Sequence, residues 1–130
     1  ILYVAETETG RLWKFKITGF GELEKLTYPS PNGGSYLWGS EKYQRLDSLK
    51  VEADGRICVA TLIRGGVTSI LPDGTGEEFH QFTDRTCTNI CFGGPDMKTA
   101  WITLSSTGQL IKMTWPRPGL KLNFQDRLKI

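Results

Sequence analysis

The sequence predicts an all-β fold built from repeated small antiparallel sheets, a partial β-propeller, and three observations carry that prediction. A strand–turn–strand pattern recurs three times without gaps. Its copies begin at Leu2, Ile57 and Ala100, 55 and 43 residues apart, within the period of a propeller blade. Helical periodicity is sustained nowhere, while 15 glycines and 6 prolines in 130 residues supply turns.

The first copy opens with Leu2-Tyr3-Val4-Ala5, turns at Gly10 and resumes as an alternating strand through Leu12 and Phe15. A further strand is expected over Glu22 to Tyr28. The segment from Pro29 to Leu46 then reads as a long connection carrying Tyr36, Trp38 and Tyr43. Connections of that length are commonly functional. It is either a lid over a channel mouth or an outer loop whose aromatics cover a blade edge.

The second copy carries a strand in front, Asp47-Ser48-Leu49-Lys50-Val51, which runs into Asp54-Gly55. Asp-Gly is a hairpin signal because the turn needs positive φ. Ile57 to Ala60, Gly65, then Val67 and Ile70 repeat the pattern. Pro72-Asp73-Gly74 turns the chain into a last strand over Gly76 to Phe82.

The third copy has Asn89-Ile90-Cys91-Phe92 in front, then Ala100 to Thr103, Gly108, Leu110 and Met113. Pro116-Arg117-Pro118-Gly119 is the expected turn into a last strand over Gly119 to Phe124. The blade formula is therefore four strands, with copies at about 1–28, 46–82 and 87–124 and a connection at 29–45. The first copy lacks the innermost strand. Aligning Asp54 with Asp96 sets Asp47 opposite Asn89, with one extra residue in the later turn.

Three blades do not close a ring, and open arcs leave unpaired edges. The chain also begins without Met, inside an apolar alternating run. The expectation is a C-terminal part of one larger propeller, completed by N-terminal blades of the same protein. In a blade the first strand lines the central channel. Antiparallel alternation then gathers the first strand's start, the turn between its second and third strands, and the inter-blade connection on one face. That face collects Asp47, Asn89, Thr88 and Arg64, the channel-mouth candidates. His80 falls on an outer strand and is expected at the surface.

Composition excludes other classes. Sixteen basic and fourteen acidic residues leave a net charge of +2, which gives no reason to expect a nucleic-acid partner. No apolar run reaches the ~18 residues of a membrane span, and no signal-peptide pattern is visible. Three cysteines, Cys58, Cys87 and Cys91, make an odd count that suits a reducing, cytoplasmic setting. Cys58 and Cys91 lie in apolar runs and are expected to pack as small hydrophobes. A metal pair at Cys87 and Cys91 lacks the histidines a zinc set needs. Gly33-Gly34 and Gly93-Gly94 lack the Lys-Ser/Thr of a phosphate loop.

Several of these runs carry a resemblance. Arg45-Leu46-Asp47-Ser48-Leu49-Lys50-Val51-Glu52-Ala53-Asp54-Gly55, followed by Ile57-Cys58-Val59-Ala60-Thr61, resembles the gluconolactonase or regucalcin (senescence marker protein) family. Gly65-Gly66-Val67 with Pro72-Asp73-Gly74 is similar to that family's next hairpin. Thr88-Asn89-Ile90-Cys91-Phe92-Gly93-Gly94 resembles its Thr-Asn/Ser-hydrophobic-Cys-Phe-Gly-Gly run. Tyr3-Val4-Ala5-Glu6-Thr7 through Arg11-Leu12-Trp13-Lys14-Phe15 resembles an earlier segment. The four motifs come in the family's order, across about residues 2–124.

The resemblance implies a six-bladed propeller that hydrolyses a sugar lactone or similar cyclic ester, with one divalent metal in the channel. Family members hold the metal through a Glu, an Asn and an Asp. The Asp matches Asp47, and the other two ligands fall upstream of Ile1. Ca²⁺ is the expected ion, with Zn²⁺ or Mg²⁺ as the other candidates. A hard cation takes oxygen ligands, and a carboxylate beside its water can serve as general base, so Asp47 is both metal ligand and catalytic candidate. Asn89, Thr88 and Arg64 are candidates for contacting the small-molecule lactone. For Asn89 the alternative is a tie to neighbouring backbone, and for Arg64 a solvated surface position. Two rival readings remain: a non-catalytic metal- or ligand-binding propeller, and a strictosidine-synthase-type enzyme.

Overall fold

A computed structural model describes residues 1–125. Twelve strands are formed there and no helix longer than a turn. The first blade consists of β1 (Leu2–Glu6), β2 (Arg11–Phe15) and β5 (Ser35–Gly39), in the order β1-β2-β5. Between β2 and β5 a separate hairpin stands out, β3 (Ile17–Gly19) with β4 (Glu22–Leu23). The second blade is a four-stranded sheet of β6 (Leu46–Val51), β7 (Ile57–Thr61), β8 (Gly66–Ile70) and β9 (Glu77–Gln81), in chain order. The third holds β10 (Cys87–Gly93), β11 (Thr99–Leu104) and β12 (Gln109–Thr114). Each neighbouring pair within a blade is antiparallel. The chain is an all-β, partial β-propeller, although only its middle blade has four strands.

Every residue of β7 and β8 is buried, because the middle blade is packed on both faces. Leu12, Leu37, Leu46, Ile57, Val59 and Ile70 form the core between the first and second blades. Cys58, Ala60, Val67, Ile90, Phe92 and Ile102 join the core between the second and third. Each Leu, Ile, Val or Phe among them stabilises the fold by about 1.5–3 kcal/mol when fully buried. The three repeat glycines, Gly10, Gly65 and Gly108, all have positive φ (61°, 80° and 64°). At Gly65 a Cβ would also lie 2.8 Å from the Arg85 Cα, so the turn and the following connection pass in backbone contact.

Two outer strands differ from expectation. In the first blade the outer strand is β5, inside the segment read as a connection, and not Glu22 to Tyr28. Leu37 and Trp38 supply apolar side chains for the seam, whereas Glu22, Glu24 and Lys25 are charged and exposed. A bulge between Leu12 and Trp13 in the β2–β5 register accommodates the buried Leu37.

In the third blade no strand forms over Gly119 to Phe124. The chain turns inward after β12 because Trp115 is fully buried in the seam between the second and third blades. There Glu52, itself fully buried, accepts hydrogen bonds from Trp115 Nε1 (2.8 Å), Cys58 Sγ (3.0 Å), Ser69 Oγ (3.1 Å) and the Arg117 guanidinium. Gly119 then bridges Glu52. Leu120 N–H donates to the Val51 carbonyl, and Gln125 Nε2 to the Phe92 carbonyl. The tail thus crosses the lower ends of β6 and β10. Residues 126–130 lie outside the described residues.

His80 is on β9 as expected, but it points inward. Its ring stacks on Trp115 with centroids 4.1 Å apart, and Nε2 is buried without a hydrogen bond. The cysteines also exchange places: Cys87 is buried and Cys91 exposed. β10 starts at Cys87, two residues earlier than read, so the alternation puts Cys87, Ile90 and Phe92 on the core face.

Candidate functional site

β6 and β10 are the first strands of their sheets and pack against each other. Each is bulged near its start. In β6, Leu46 pairs with Thr61 and Leu49 with Val59, leaving Asp47 and Ser48 opposite Ala60 alone. In β10, Cys87 pairs with Leu104 and Asn89 with Thr103, leaving Thr88 unpaired. A bulge bends the strand and re-aims a side chain. With Thr61 and Leu104 equivalent in the repeat, Asp47 corresponds to Thr88 and Ser48 to Asn89. The sequence alignment was therefore one residue off, because the turn after β10 holds two extra residues rather than one.

Asp47 is half-buried, and among the described residues no hydrogen bond or ion pair engages its carboxylate. Its charge is felt by Cys87 at the start of the next blade. Burial first, then the charges of Asp47 and Asp84, push the Cys87 thiol up to about 12. Cys87 is thus held as a neutral thiol at physiological pH.

Thr88 is half-buried, and its hydroxyl lies 2.8 Å from Thr103 Oγ1. Asn89 is exposed, and its Oδ1 accepts the Ile90 N–H at 2.9 Å, the backbone tie that was the alternative reading. Among the described residues its amide nitrogen makes no hydrogen bond. Arg64 is turned away from the inner strands. Its guanidinium lies 3.7 Å from the centroid of the Phe79 ring and Nη1 is 2.9 Å from Glu77 Oε1. Both partners belong to the outermost strand β9, so Arg64 sits at the rim and not at the channel. Tyr36 packs edge-on against Trp13 at 5.7 Å, and Trp38 packs into the first seam. These two aromatics cover the blade rather than forming a lid.

The sequence reading missed Asp84. Its Oδ1 accepts the Thr86 N–H and hydroxyl, and Oδ2 accepts those of Thr107, each at 2.7 Å. This nearly buried carboxylate ties the second connection to the β11–β12 turn on the face of Asp47. Those hydrogen bonds, the Thr86 N–H foremost, hold its carboxyl well below the usual range despite partial desolvation. The Asp84-x-Thr86 spacing is an Asx-turn signal that could have revealed it.

A divalent cation would need hard oxygen donors from these groups. Asp47 offers a hard oxygen donor with free lone pairs, which fits one position in the coordination of Ca²⁺ or Mg²⁺. Asp84 has both oxygens engaged. Among the described residues no group of three His, Cys, Asp or Glu could hold a metal. Among these groups Asp47 alone is a candidate ligand.

No curated protein sequence matches the chain significantly. Among solved structures, the chain is similar to the X-ray structure of "the putative gluconolactonase in protein family", a structural-genomics target. The two share 26% identity with a TM-score of 0.56, over 89% of this chain and 39% of the other. The chain thus spans about two fifths of that structure's length. The family model "SMP-30/Gluconolactonase/LRE-like region" matches residues 1–106. With the repeat, the bulged inner strands and that match in agreement, the chain belongs to the SMP-30/gluconolactonase/LRE-like family.

Proposed function

We propose that a propeller containing this chain hydrolyses a sugar lactone or similar cyclic ester with one divalent cation, and that Asp47 helps to hold the cation. The observation that carries this reading is the free carboxylate of Asp47, presented by a bulge at the start of an inner strand in a chain of this family. The chain would form the C-terminal half of a six-bladed ring, and earlier blades would complete the ligand set. Ca²⁺ is the first candidate, and the setting would be cytoplasmic.

A bound divalent cation would polarise the lactone carbonyl and lower the pKa of water beside it. Asp47 would orient that water through one carboxylate oxygen and accept its proton as the carbonyl carbon is attacked. Cleavage of the ring C–O bond then leaves a hydroxy acid, the ring oxygen taking up the proton. Thr88 and Asn89 would meet substrate hydroxyls at the mouth. No role is given to Arg64, which lies at the rim.

The test is hydrolysis of several sugar lactones by the complete protein, before and after chelation and on adding back Ca²⁺, Zn²⁺ or Mg²⁺. Activity lost to chelator and restored by one ion is expected. Hydrolysis indifferent to chelator would contradict the metal, and hydrolysis of no lactone would contradict the reaction.

A further inference from the structure

The Asp84 carboxylate is the hub of a clamp at the head of β10. Besides the bonds that Thr86 and Thr107 give it, Ser105 N–H donates to the Thr86 carbonyl at 3.0 Å and Ser106 N–H to Thr86 Oγ1 at 2.7 Å. The chain entering β10 is thereby fastened to the turn between β11 and β12. Below it, Asn89 pairs with Thr103. Thr88 stands between these fixed points, in the bulge, with its hydroxyl against Thr103. The Cys87 thiol beside it feels the charges of both Asp47 and Asp84, and β6 packs on β10, so clamp and candidate ligand stand at one mouth.

The second blade builds the same junction without a carboxylate. Leu62 N–H donates to the Arg45 carbonyl as Ser105 N–H does to that of Thr86, which makes Tyr43 the equivalent of Asp84. Tyr43 is exposed and, among the described residues, makes no hydrogen bond. Gln44 Oε1 instead accepts the Arg64 N–H at 3.0 Å. The carboxylate clamp therefore belongs to the junction that carries Thr88 and not to the blade repeat.

We propose that Asp84 is a positioning residue of the mouth: by holding the head of β10 against the β11–β12 turn, it sets where the Thr88 hydroxyl meets the substrate beside Asp47. The inference rests on the lactone-hydrolase reading above. Threonine is short and stiff at χ1, so the backbone of the bulge decides where its hydroxyl stands. Slack at the head of the strand lets the bulge shift, and a slip of one residue turns a side chain to the opposite face. Asp47 would be fixed by its cation once the site is loaded. Thr88 has only the clamp and its contact with Thr103.

The test uses the complete, metal-loaded protein with glucono-δ-lactone and the variants Asp84→Asn, Thr88→Val and both together. Asp84→Asn keeps the side chain's size but sets an amide NH2 against donors that need an acceptor. Each single variant is expected to raise KM by about threefold to tenfold with kcat little changed, the pattern of lost substrate binding. The double variant should be no worse than Thr88→Val, because the two act through one hydroxyl. Thr107→Val keeps the charge and removes one donor to Asp84, so KM should rise in the same direction. As a readout independent of turnover, the Thr88 amide and methyl resonances should shift in Asp84→Asn and in Thr107→Val.

Additive effects in the double variant, or an effect of Asp84→Asn that Thr107→Val does not share, would overturn the positioning role and leave the lactonase reading standing. Unmoved Thr88 resonances would overturn it equally. Hydrolysis of no lactone by the parent would remove the lactonase reading and with it the substrate contact, while the Thr88 resonances would still decide whether Asp84 sets the position of Thr88.

Discussion

Asp47 and Thr88 occupy the same position in successive inner strands, each one residue beyond the pair that opens the strand and each inside a one-residue bulge. The repeat thus builds the same seat twice and fills it with a carboxylate once and a hydroxyl once. A free carboxylate in a seat that packing does not require is what the proposed metal-holding role of Asp47 calls for.

Glu52 and Arg117 form the seam's main polar contact, and the two ends of the pair are not equivalent. Glu52 is fully buried, whereas the Arg117 side chain is 25% exposed. Arg117→Met strands a buried carboxylate and is expected to cost about 3–5 kcal/mol. Glu52→Gln leaves a guanidinium that reaches water, so its cost should be smaller. Urea unfolding of both variants checks the order.

The same carboxylate sets an acid limit. Burial alone would raise the Glu52 pKa, but the hydrogen bonds from Arg117, Trp115 and Cys58 together outweigh it and hold the group below 4.5. A depressed carboxyl contributes stability that is present above its unfolded value and lost as pH falls through the folded one. Stability should therefore begin to decline below about pH 4.5, and Glu52→Gln should flatten that decline. An unchanged slope in acid denaturation would show that other carboxyls govern it.

His80 adds a second pH effect at a milder pH. Burial, against the opposing charge of Glu78 and with some help from Arg117, pulls its pKa below 6.5. Trp115 covers its ring, and Glu52 lies in the same seam. Since the unfolded chain takes up the proton first, stability should fall as pH drops below 6.5 and level off below the folded value. His80→Leu should remove this component. Thermal melts between pH 7.5 and 5 would show it as a smaller drop in Tm for the variant.

The outer strand of the first blade gives a packing prediction. Leu37 is 6% exposed and Leu26 is 46% exposed. Leu37→Ala should cost about 2–5 kcal/mol, and Leu26→Ala less than about 0.5 kcal/mol. If the costs came in the opposite order, the strand would lie where the sequence first suggested, over Glu22 to Tyr28.

Much of the architecture was legible because it is periodic. The repeat marked β1, β2, β6, β7, β8, β10, β11 and β12, and its glycines marked the positive-φ turns. Outer strands were harder to read, since an edge strand needs only one apolar face. The charged run after β2 and the apolar Tyr36-Leu37-Trp38 therefore competed, and a local hairpin decided between them. The inward turn at Trp115 depended on Glu52, 63 residues earlier, a partner that no local pattern reveals. At the site, Asp47 stood out through its motif, but its equivalence to Thr88 required the register. Arg64 looked like a mouth residue by topology, and its side chain was drawn outward by Phe79 and Glu77.

The central claim is that Asp47 serves a bound cation and not the fold. The measurement is Ca²⁺ binding by calorimetry, with lactone hydrolysis in parallel, on the complete protein and its Asp47→Ala variant. No hydrogen bond is lost with this carboxylate, so Tm should be unchanged to within the effect of about 0.5 kcal/mol. Ca²⁺ affinity should fall by about tenfold or more and hydrolysis by at least about a hundredfold. A variant that binds Ca²⁺ and hydrolyses lactone like the parent would contradict the account.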